Sequence, residues 1–431
     1  MQVNQTTNSN ATRDSATLNR PWREVSTLKI LERYKRDGTL SKEDFNAIAF
    51  NTFSSKEAQV MSEAIAGTIA FPFSLNDYVV INGKKYTVPM ATEEASIVAA
   101  NIKACFLSLP KGFTAIEPTP LMTFQVQVVK AKNKNAVTDL MKRKKEIFEL
   151  CNSVSKTITS MGGGAKKLIV KRLKTKIGEN IVVYITVDVR DAMGANVLNT
   201  MAEKIAPLIA DTTKGTIITR ILSNFCEERI AKARVEFNLK NQICKVNPER
   251  FMAVYALAQA DTYRCVTHNK GVMNGVDSVL VATGNDFRAV EAAAHAHAWK
   301  TGTCKPLTTW KVVKGKLIGE IELPVPVGIV GGATKTNPTA RSAMKILNVK
   351  TAGELGMVLA CIGLAQNFSA LNALGSVGIQ QGHMGLHAKN LALEAGAKHH
   401  EIELIVSKMR TAKQITREYA HKIVGEMRRK Q

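Results

Sequence analysis

Hydrophobic positions along this chain change period several times, and each change marks an element. After a polar arm over residues 1–20, residues 21–66 carry helix-spaced apolar side chains, and Ser41-Lys42-Glu43-Asp44 reads as a capping box ahead of one such stretch. Alternation takes over at Tyr78–Ile81 and Lys84–Val88, with Asn82-Gly83 between them, the pattern of a tight hairpin. Thr92 stands as the N-cap of an apolar run that reaches Leu107, which puts Glu93 and Glu94 in a first helical turn. From about 118 to 225 the texture differs. A strand at Phe124–Val129 precedes a lysine-rich helix over Asp139–Ser160, a break at Gly162-Gly163-Gly164, strands at Leu168–Leu173 and Ile181–Val189, and a helix from Asp191 to Ile209. Leu198, Met201, Ala202, Ile205, Leu208 and Ile209 share one face of that helix. This succession predicts an α+β unit of the split-βαβ kind. Further on, Val279–Thr283 reads as a buried strand, Leu307–Val312 and Lys316–Leu323 as a hairpin, and Asn367–Gly375 as the start of a helix running towards His383. The Lys-, Arg- and His-rich C-terminal stretch reads as a separate helical tail.

Composition narrows the class. The chain has 431 residues, 45% hydrophobic and 22% charged, enough apolar material for a sizeable core. A formal charge of +23 points to polyanionic partners: nucleic acid, a membrane surface or a phosphate-rich small molecule. No run of about 18 apolar residues is present, the N-terminus lacks the apolar centre of a secretory signal, and no membrane partner is expected. The seven cysteines are widely spaced, with no CxxC pair. That argues against structural disulfides and a zinc cluster, and for a cytoplasmic location.

Several segments carry chemistry-bearing residues. Gly328–Thr336 looks like a phosphate loop but has Thr334 where the P-loop pattern requires glycine, and no GxGxxG joins a strand to a helix, so a Rossmann site is unsupported. Asp191-Ala192-Met193-Gly194-Ala195-Asn196 follows a strand and opens a helix; its small residues would let an anionic ligand reach backbone N–H groups, or Asp191 simply caps the helix. Glu93 and Glu94 either complement a helix dipole or include a buried acid able to donate a proton. Asp286 sits just past the strand read at Val279–Thr283, a place that suits catalysis but more often holds a plain turn residue. Lys270, in His268-Asn269-Lys270-Gly271, is a cation in a weakly charged segment and could stabilise an oxyanion. His383 and His387 have the spacing of a zinc-protease pair, but Met384 replaces the glutamate and no third ligand is near, so no metal is expected and a proton-donating histidine is easier to defend.

Taken together, these segments resemble the class II hydroxymethylglutaryl-CoA reductases. The likeness runs from about residue 60 to 400 and rests on six motifs in register: Val88–Glu94, Asp188–Asn196, His268–Gly275, Ala282–Asp286, Pro326–Pro338 and Gly382–His387. The resemblance implies that Glu94, Lys270, Asp286 and His383 are catalytic. Lys270 would polarise the thioester and then the aldehyde carbonyl. Asp286 would hydrogen-bond both Glu94 and Lys270, and His383 would protonate the departing CoA thiolate. It places Ser96, Arg264 and Asn274 around the acyl substrate and Arg23 near a CoA phosphate. Asp191, Met193, Gly194, Asn196 and Asn224 fall on the nicotinamide-nucleotide side. NADH-using members carry an acid facing the ribose, where this chain reads Val154-Ser155-Lys156-Thr157; with Lys156 there, NADPH is favoured over NADH. One departure concerns the family's dimer segment, where Ala64 replaces the usual asparagine in Glu63–Gly67.

The expected fold is α+β. A large helix-rich domain (residues 1–117 and 226–378) is interrupted by a small ferredoxin-like, non-Rossmann cofactor domain (118–225) and followed by a C-terminal helical flap (379–431). The expected partners are hydroxymethylglutaryl-CoA, mevalonate and coenzyme A, in a homodimer or an assembly of dimers. The competing readings are a basic nucleic-acid-binding protein using Met141–Lys145 and a non-catalytic CoA-binding scaffold. The absence of a known nucleic-acid module and an aromatic content of 6% count against the first. The set Glu94, Lys270, Asp286 and His383 counts against the second.

Overall fold

The computed structural model describes residues 27–94, 96–241, 243–376, 378 and 388–429. Its strands are β1 (Phe73–Ile81), β2 (Lys84–Ala91), β3 (Phe113–Ile116), β4 (Leu121–Val129), β5 (Gly164–Thr175), β6 (Gly178–Asp188), β7 (Thr216–Leu222), β8 (Ile230–Asn238), β9 (Thr308–Val313) and β10 (Lys316–Pro324). They form a six-stranded sheet in the order β2-β1-β3-β8-β10-β9 and a four-stranded sheet in the order β5-β6-β4-β7. The fold is α+β. In the smaller sheet β6 lies between β4 and β5 and antiparallel to both, which is the split-βαβ arrangement.

The β1–β2 hairpin turns on Asn82 and Gly83 with φ of 51° and 81°, the left-handed pair that a two-residue turn requires. Two long helices fill the space behind the larger sheet. Thr262–Ala282 and Ala352–Leu374 cross so closely that a Cβ on Gly275 would lie 2.9 Å from Gln366 Cβ, and one on Gly363 would lie 2.9 Å from a Val276 methyl. Glycine at both places permits the contact. The helix Ala352–Leu374 is long and apolar enough to cross a membrane by length and composition, yet 72% of its most apolar window is buried inside the protein. A second core lies between the four-stranded sheet and the helix Ala195–Thr213. Helical residues 388–394 with Ile402–Thr411 and Arg417–Arg429 enclose a core of their own.

Several elements differ from the sequence pattern. Val279–Thr283 is no strand: it ends the 21-residue helix Thr262–Ala282, whose C-terminal half is buried on nearly every side and so shows no amphipathic period. The helix expected over Asp139–Ser160 is three pieces, Ala136–Lys142, Lys144–Asn152 and Lys156–Ser160; Ser155 caps the last by accepting from Ile158 N. The helix read as starting at Asn367 begins at Ala352. Thr92 is not an N-cap either, because that helix starts at Ile97 behind Ser96.

The capping box holds as expected. Ser41 and Asp44 cap the helix Lys42–Ala49 reciprocally. Asp44 also accepts from Ser342 at 3.1 Å and from Lys345 at 2.5 Å, which fastens the N-terminal helices onto Pro338–Leu347. Burial alone would raise the Asp44 carboxyl; its hydrogen bonds to Lys345, Ser41 and Ser342 outweigh that and bring it to about 2. Because the folded value lies below the unfolded one, this stability is complete above about pH 5 and is lost as pH falls towards 2. Asp44→Ala is expected to cost about 2–3 kcal/mol in urea unfolding at pH 7, with the gap to wild type closing below pH 4; a pH-independent gap would disprove the linkage.

Candidate active site

The segment His268-Asn269-Lys270 sits in the middle of the helix Thr262–Ala282, not before a loop. His268 and Asn269 face the core. Asn269 donates to Lys305 O at 3.0 Å and accepts from Leu307 N at 2.9 Å. His268 Nε2 is 2.8 Å from Thr308 Oγ1, and burial lowers its imidazole to about 3, so it is neutral near pH 7. With these two residues anchored inward, the 100° step per residue turns Lys270 outward. Its ammonium donates to Glu94 Oε2 at 3.2 Å.

Glu94 follows β2 in a short irregular link rather than a first helical turn. Its N–H donates to Thr92 Oγ1 at 3.3 Å. The link ends at Ser96, which holds φ at 81°, a strained value for a residue with a side chain. Among the described residues the buried Ser96 hydroxyl has no hydrogen-bond partner, and neither has Nε of Arg264. Burial also lowers the Arg264 guanidinium. Two sequence-nominated acyl-binding residues therefore carry unsatisfied buried polar atoms. Asn274 lies one turn beyond Lys270 on the same helix face.

Asp286 departs from expectation. Its carboxylate caps the helix Phe287–Ala298, accepting from Arg288 N at 3.1 Å, Ala289 N at 3.2 Å and Arg288 Nε at 3.2 Å. No hydrogen bond among the described residues joins it to Lys270 or Glu94. The Lys270–Glu94 pair is also open to solvent, with side chains 59% and 42% exposed. His383 and Arg23 lie outside the described residues.

On the nucleotide side, the helix opens at Ala195 behind Gly194, whose φ of 108° needs glycine and whose N-cap position supplies no side-chain acceptor. Asp191 does not cap it. One Asp191 carboxylate oxygen accepts instead from Ala352 N at 2.8 Å, at the start of the buried helix Ala352–Leu374. The Met193 backbone runs so close to Gly328 that a Cβ there would meet Met193 N at 2.5 Å, which gives the Gly328 loop a packing role. Asn196, in the first turn of this helix, is exposed, and so are Asn224 and Lys156. A cavity of about 620 Å³ lies elsewhere, between the outer face of β8–β10 and residues 297–307, and none of the nominated residues lines it.

The basic segment Met141–Lys145 is not a free cationic surface. Lys142 faces Asp139, Arg143 bonds Glu146 at 2.8 Å, and Lys145 faces Glu149. Sequence reading also missed three groups beside Lys270: Asp277 on the same helix, and Glu291 and His295 one helix on. The spacing of Glu291 and His295 on a helical stretch was the available signal.

The family model described as hydroxymethylglutaryl-coenzyme A reductase matches residues 26–388. The 3-hydroxy-3-methylglutaryl-coenzyme A reductase of Archaeoglobus fulgidus is 43% identical over 407 residues, covering 93% of both chains. A solved reductase structure from Streptococcus pneumoniae superposes with a TM-score of 0.77 at 38% identity, covering 94% of this chain and 99% of that one. A class II structure from the same organism, bound to NADPH in open conformations, gives a TM-score of 0.76 at 38% identity, covering 94% of this chain and all of that one.

Ser96 offers a direct test of its backbone strain. Ser96→Gly is expected to stabilise the fold by up to about 1 kcal/mol and Ser96→Ala to give no such gain. Equal denaturation midpoints for the two variants would show that the strain is absent.

Proposed function

As the chain belongs to the hydroxymethylglutaryl-coenzyme A reductase family, class II, we propose that Lys270 and Glu94 are the centre of its two-step reduction of hydroxymethylglutaryl-CoA to mevalonate and free CoA. The observation that carries the assignment is the 3.2 Å contact between the two groups, which come from elements far apart in sequence.

The residues on the nucleotide side suit a dinucleotide. The nineteen-residue helix Ala195–Thr213 starts with N–H groups that no side chain caps, with Asn196 exposed in its first turn, and such a start favours phosphate. Asp191, Met193, Gly194, Asn196 and Asn224 would hold the cofactor, with exposed Lys156 near the ribose 2′-phosphate of NADPH. When bound, the nicotinamide supplies hydride.

The protein's part is charge and proton management. As hydride reaches the thioester carbon, the carbonyl oxygen becomes an oxyanion, and the Lys270 ammonium stabilises it. Collapse breaks the C–S bond. His383 gives its proton to the leaving thiolate, and an aldehyde remains. The second hydride makes an alkoxide that Lys270 again faces, and Glu94 delivers the proton that completes the alcohol. Arg264, whose Nε has no partner among the described residues, is suited to the terminal carboxylate of the acyl chain, and Ser96 and Asn274 complete its polar lining. All three cap hydrogen bonds fall on Asp286 Oδ1, which leaves Oδ2 as the acceptor it would offer Lys270. By the family resemblance, Arg23 would contact a CoA phosphate. We further assign the chain to the cytoplasm as a homodimer or assembly of dimers, with the domain limits 1–117 with 226–378, 118–225 and 379–431.

Lys270→Ala is expected to lower kcat by at least about 100-fold with an unchanged melting temperature; retained turnover removes Lys270 from the oxyanion role. His383→Gln is expected to block thioester reduction while sparing reduction of supplied mevaldehyde, and an equal loss in both half-reactions would refute the thiolate assignment. NADPH should exceed NADH in kcat/KM, and a strong NADH preference would overturn the Lys156 reading.

A further inference from the structure

The helices that carry Lys270 and Asp286 meet through a pair of acids. Asp277 lies two turns after Lys270 on the same helix face, and Glu291 lies on the helix Phe287–Ala298 that Asp286 caps. The Asp277 and Glu291 side chains hydrogen-bond to each other. Two carboxylates offer only acceptors, so this contact requires one proton between them. Asp277 Oδ1 is buried with no donor, a situation that suits a neutral acid and not an ion. Glu291 has a second partner: His295 Nε2 lies 2.6 Å from Glu291 Oε2, one turn along. A hydrogen-bond donor on Glu291 favours its ionised form and leaves the proton on Asp277.

We propose that Asp277 and Glu291 share one proton across this helix junction and act as positioning residues for Lys270, fixing the spacing of the two helices and the negative charge behind the ammonium. The inference rests on the reading of Lys270 as the oxyanion-stabilising group.

The electrostatics agree with the geometry. Burial, and after it the hydrogen bond and charge of Glu291, push Asp277 up to about 8, against the opposing pull of Lys270. Burial works to raise Glu291 too, but the hydrogen bonds from His295 and Asp277 prevail and lower it. Its contact with Glu291 raises His295. Lys270, Glu291 and, through Glu291, His295 are the charged groups that bear on Asp277. Below pH 8 the pair carries one negative charge. Above it the proton leaves, two charges face each other between the helices, and the ammonium is drawn back along its own helix and away from Glu94. A reductase built this way loses kcat on the alkaline side because Lys270 is mispositioned, not because it is deprotonated.

The test compares pH profiles of kcat and KM from pH 6 to 10 for wild type, Asp277→Asn and Asp277→Ala in the full-length enzyme, with Lys270→Met alongside. Asparagine keeps the donor and cannot ionise, so D277N should retain wild-type kcat within about threefold at pH 7 and lose the alkaline limb, with KM for the acyl-CoA unchanged. D277A should be slower at every pH. The His295 ring resonance, followed by NMR in wild type, should show, besides the ring's own titration, a second step near pH 8 that is absent in D277N; this readout holds even if D277A fails to fold. An alkaline limb and a His295 step identical in wild type and D277N would overturn the proposal. If Lys270→Met stays active, the oxyanion reading itself fails; if it is inactive while D277N behaves as wild type, only the acid pair is refuted.

Discussion

One buried helix, Ala352–Leu374, is the reference against which the Asp191 loop, the Glu94 link and the Lys270 helix are set. At its start, Ala352 N donates to Asp191 and so fixes the loop that opens the nucleotide-side helix. Midway, Asn101 donates to Ile362 O at 2.9 Å and to Gln366 Oε1 at 3.1 Å, which locates the helix Ile97–Ser108 and, just before it, the link that carries Glu94. On another face Gly363 and Gln366 receive the helix of Lys270 at glycine distance. A methyl added at Gly275 would meet Gln366 Cβ and Ile362 O, the same two residues that hold Asn101. Lys270 and Glu94 therefore keep their spacing because both of their elements are seated on one turn of one helix. Side chains locked in a dense core transmit such a change and do not absorb it.

What could be read from the sequence follows from how local each determinant is. Asn82-Gly83 and Ser41…Asp44 specify their turn and cap through their own backbone and side chains, and both formed as expected. The helix Ala352–Leu374 was half missed because it is apolar on nearly every side, so no period distinguishes it from a buried strand. Val279–Thr283 failed for the same reason. Its β-branched residues favour a strand locally, but the preceding turns of helix and the Gly275 contact hold it helical.

The site was more legible than its supports. Motifs nominated Glu94 and Lys270, which meet, and Ser96 and Arg264, whose buried polar atoms lack partners among the described residues. They could not show that His268 and Asn269 of the same motif are core anchors, nor that Asp191 is tied to Ala352. Those roles depend on residues 36 to 161 positions away, and no spacing rule encodes them. Asp277 was hidden in the apolar text of Gly275–Val279, where a charged residue reads as the exposed edge of a helix. Its meaning depends on Glu291, which belongs to a different helix.

The exposure of the Lys270–Glu94 pair bears on where catalytic power resides. As a solvated surface ion pair it is worth at most about 1 kcal/mol, too little to matter for folding. Two unit charges about 4 Å apart interact by roughly 1 kcal/mol in water and about 4 kcal/mol at the lower effective dielectric near a protein surface. The difference, about 3 kcal/mol, corresponds to roughly two orders of magnitude in rate if it is realised only as the oxyanion forms. On the proposed assignment, the geometry of the centre is built into this chain by its core helices, while its strength would come from removing water over Lys270 once substrate is in place. A lysine already buried in the free protein would have carried a desolvation penalty and a lowered pKa, which would weaken it as a cation. With an exposed lysine on a rigid helix, the desolvation falls on the complex, where the negative charge that repays it is being made.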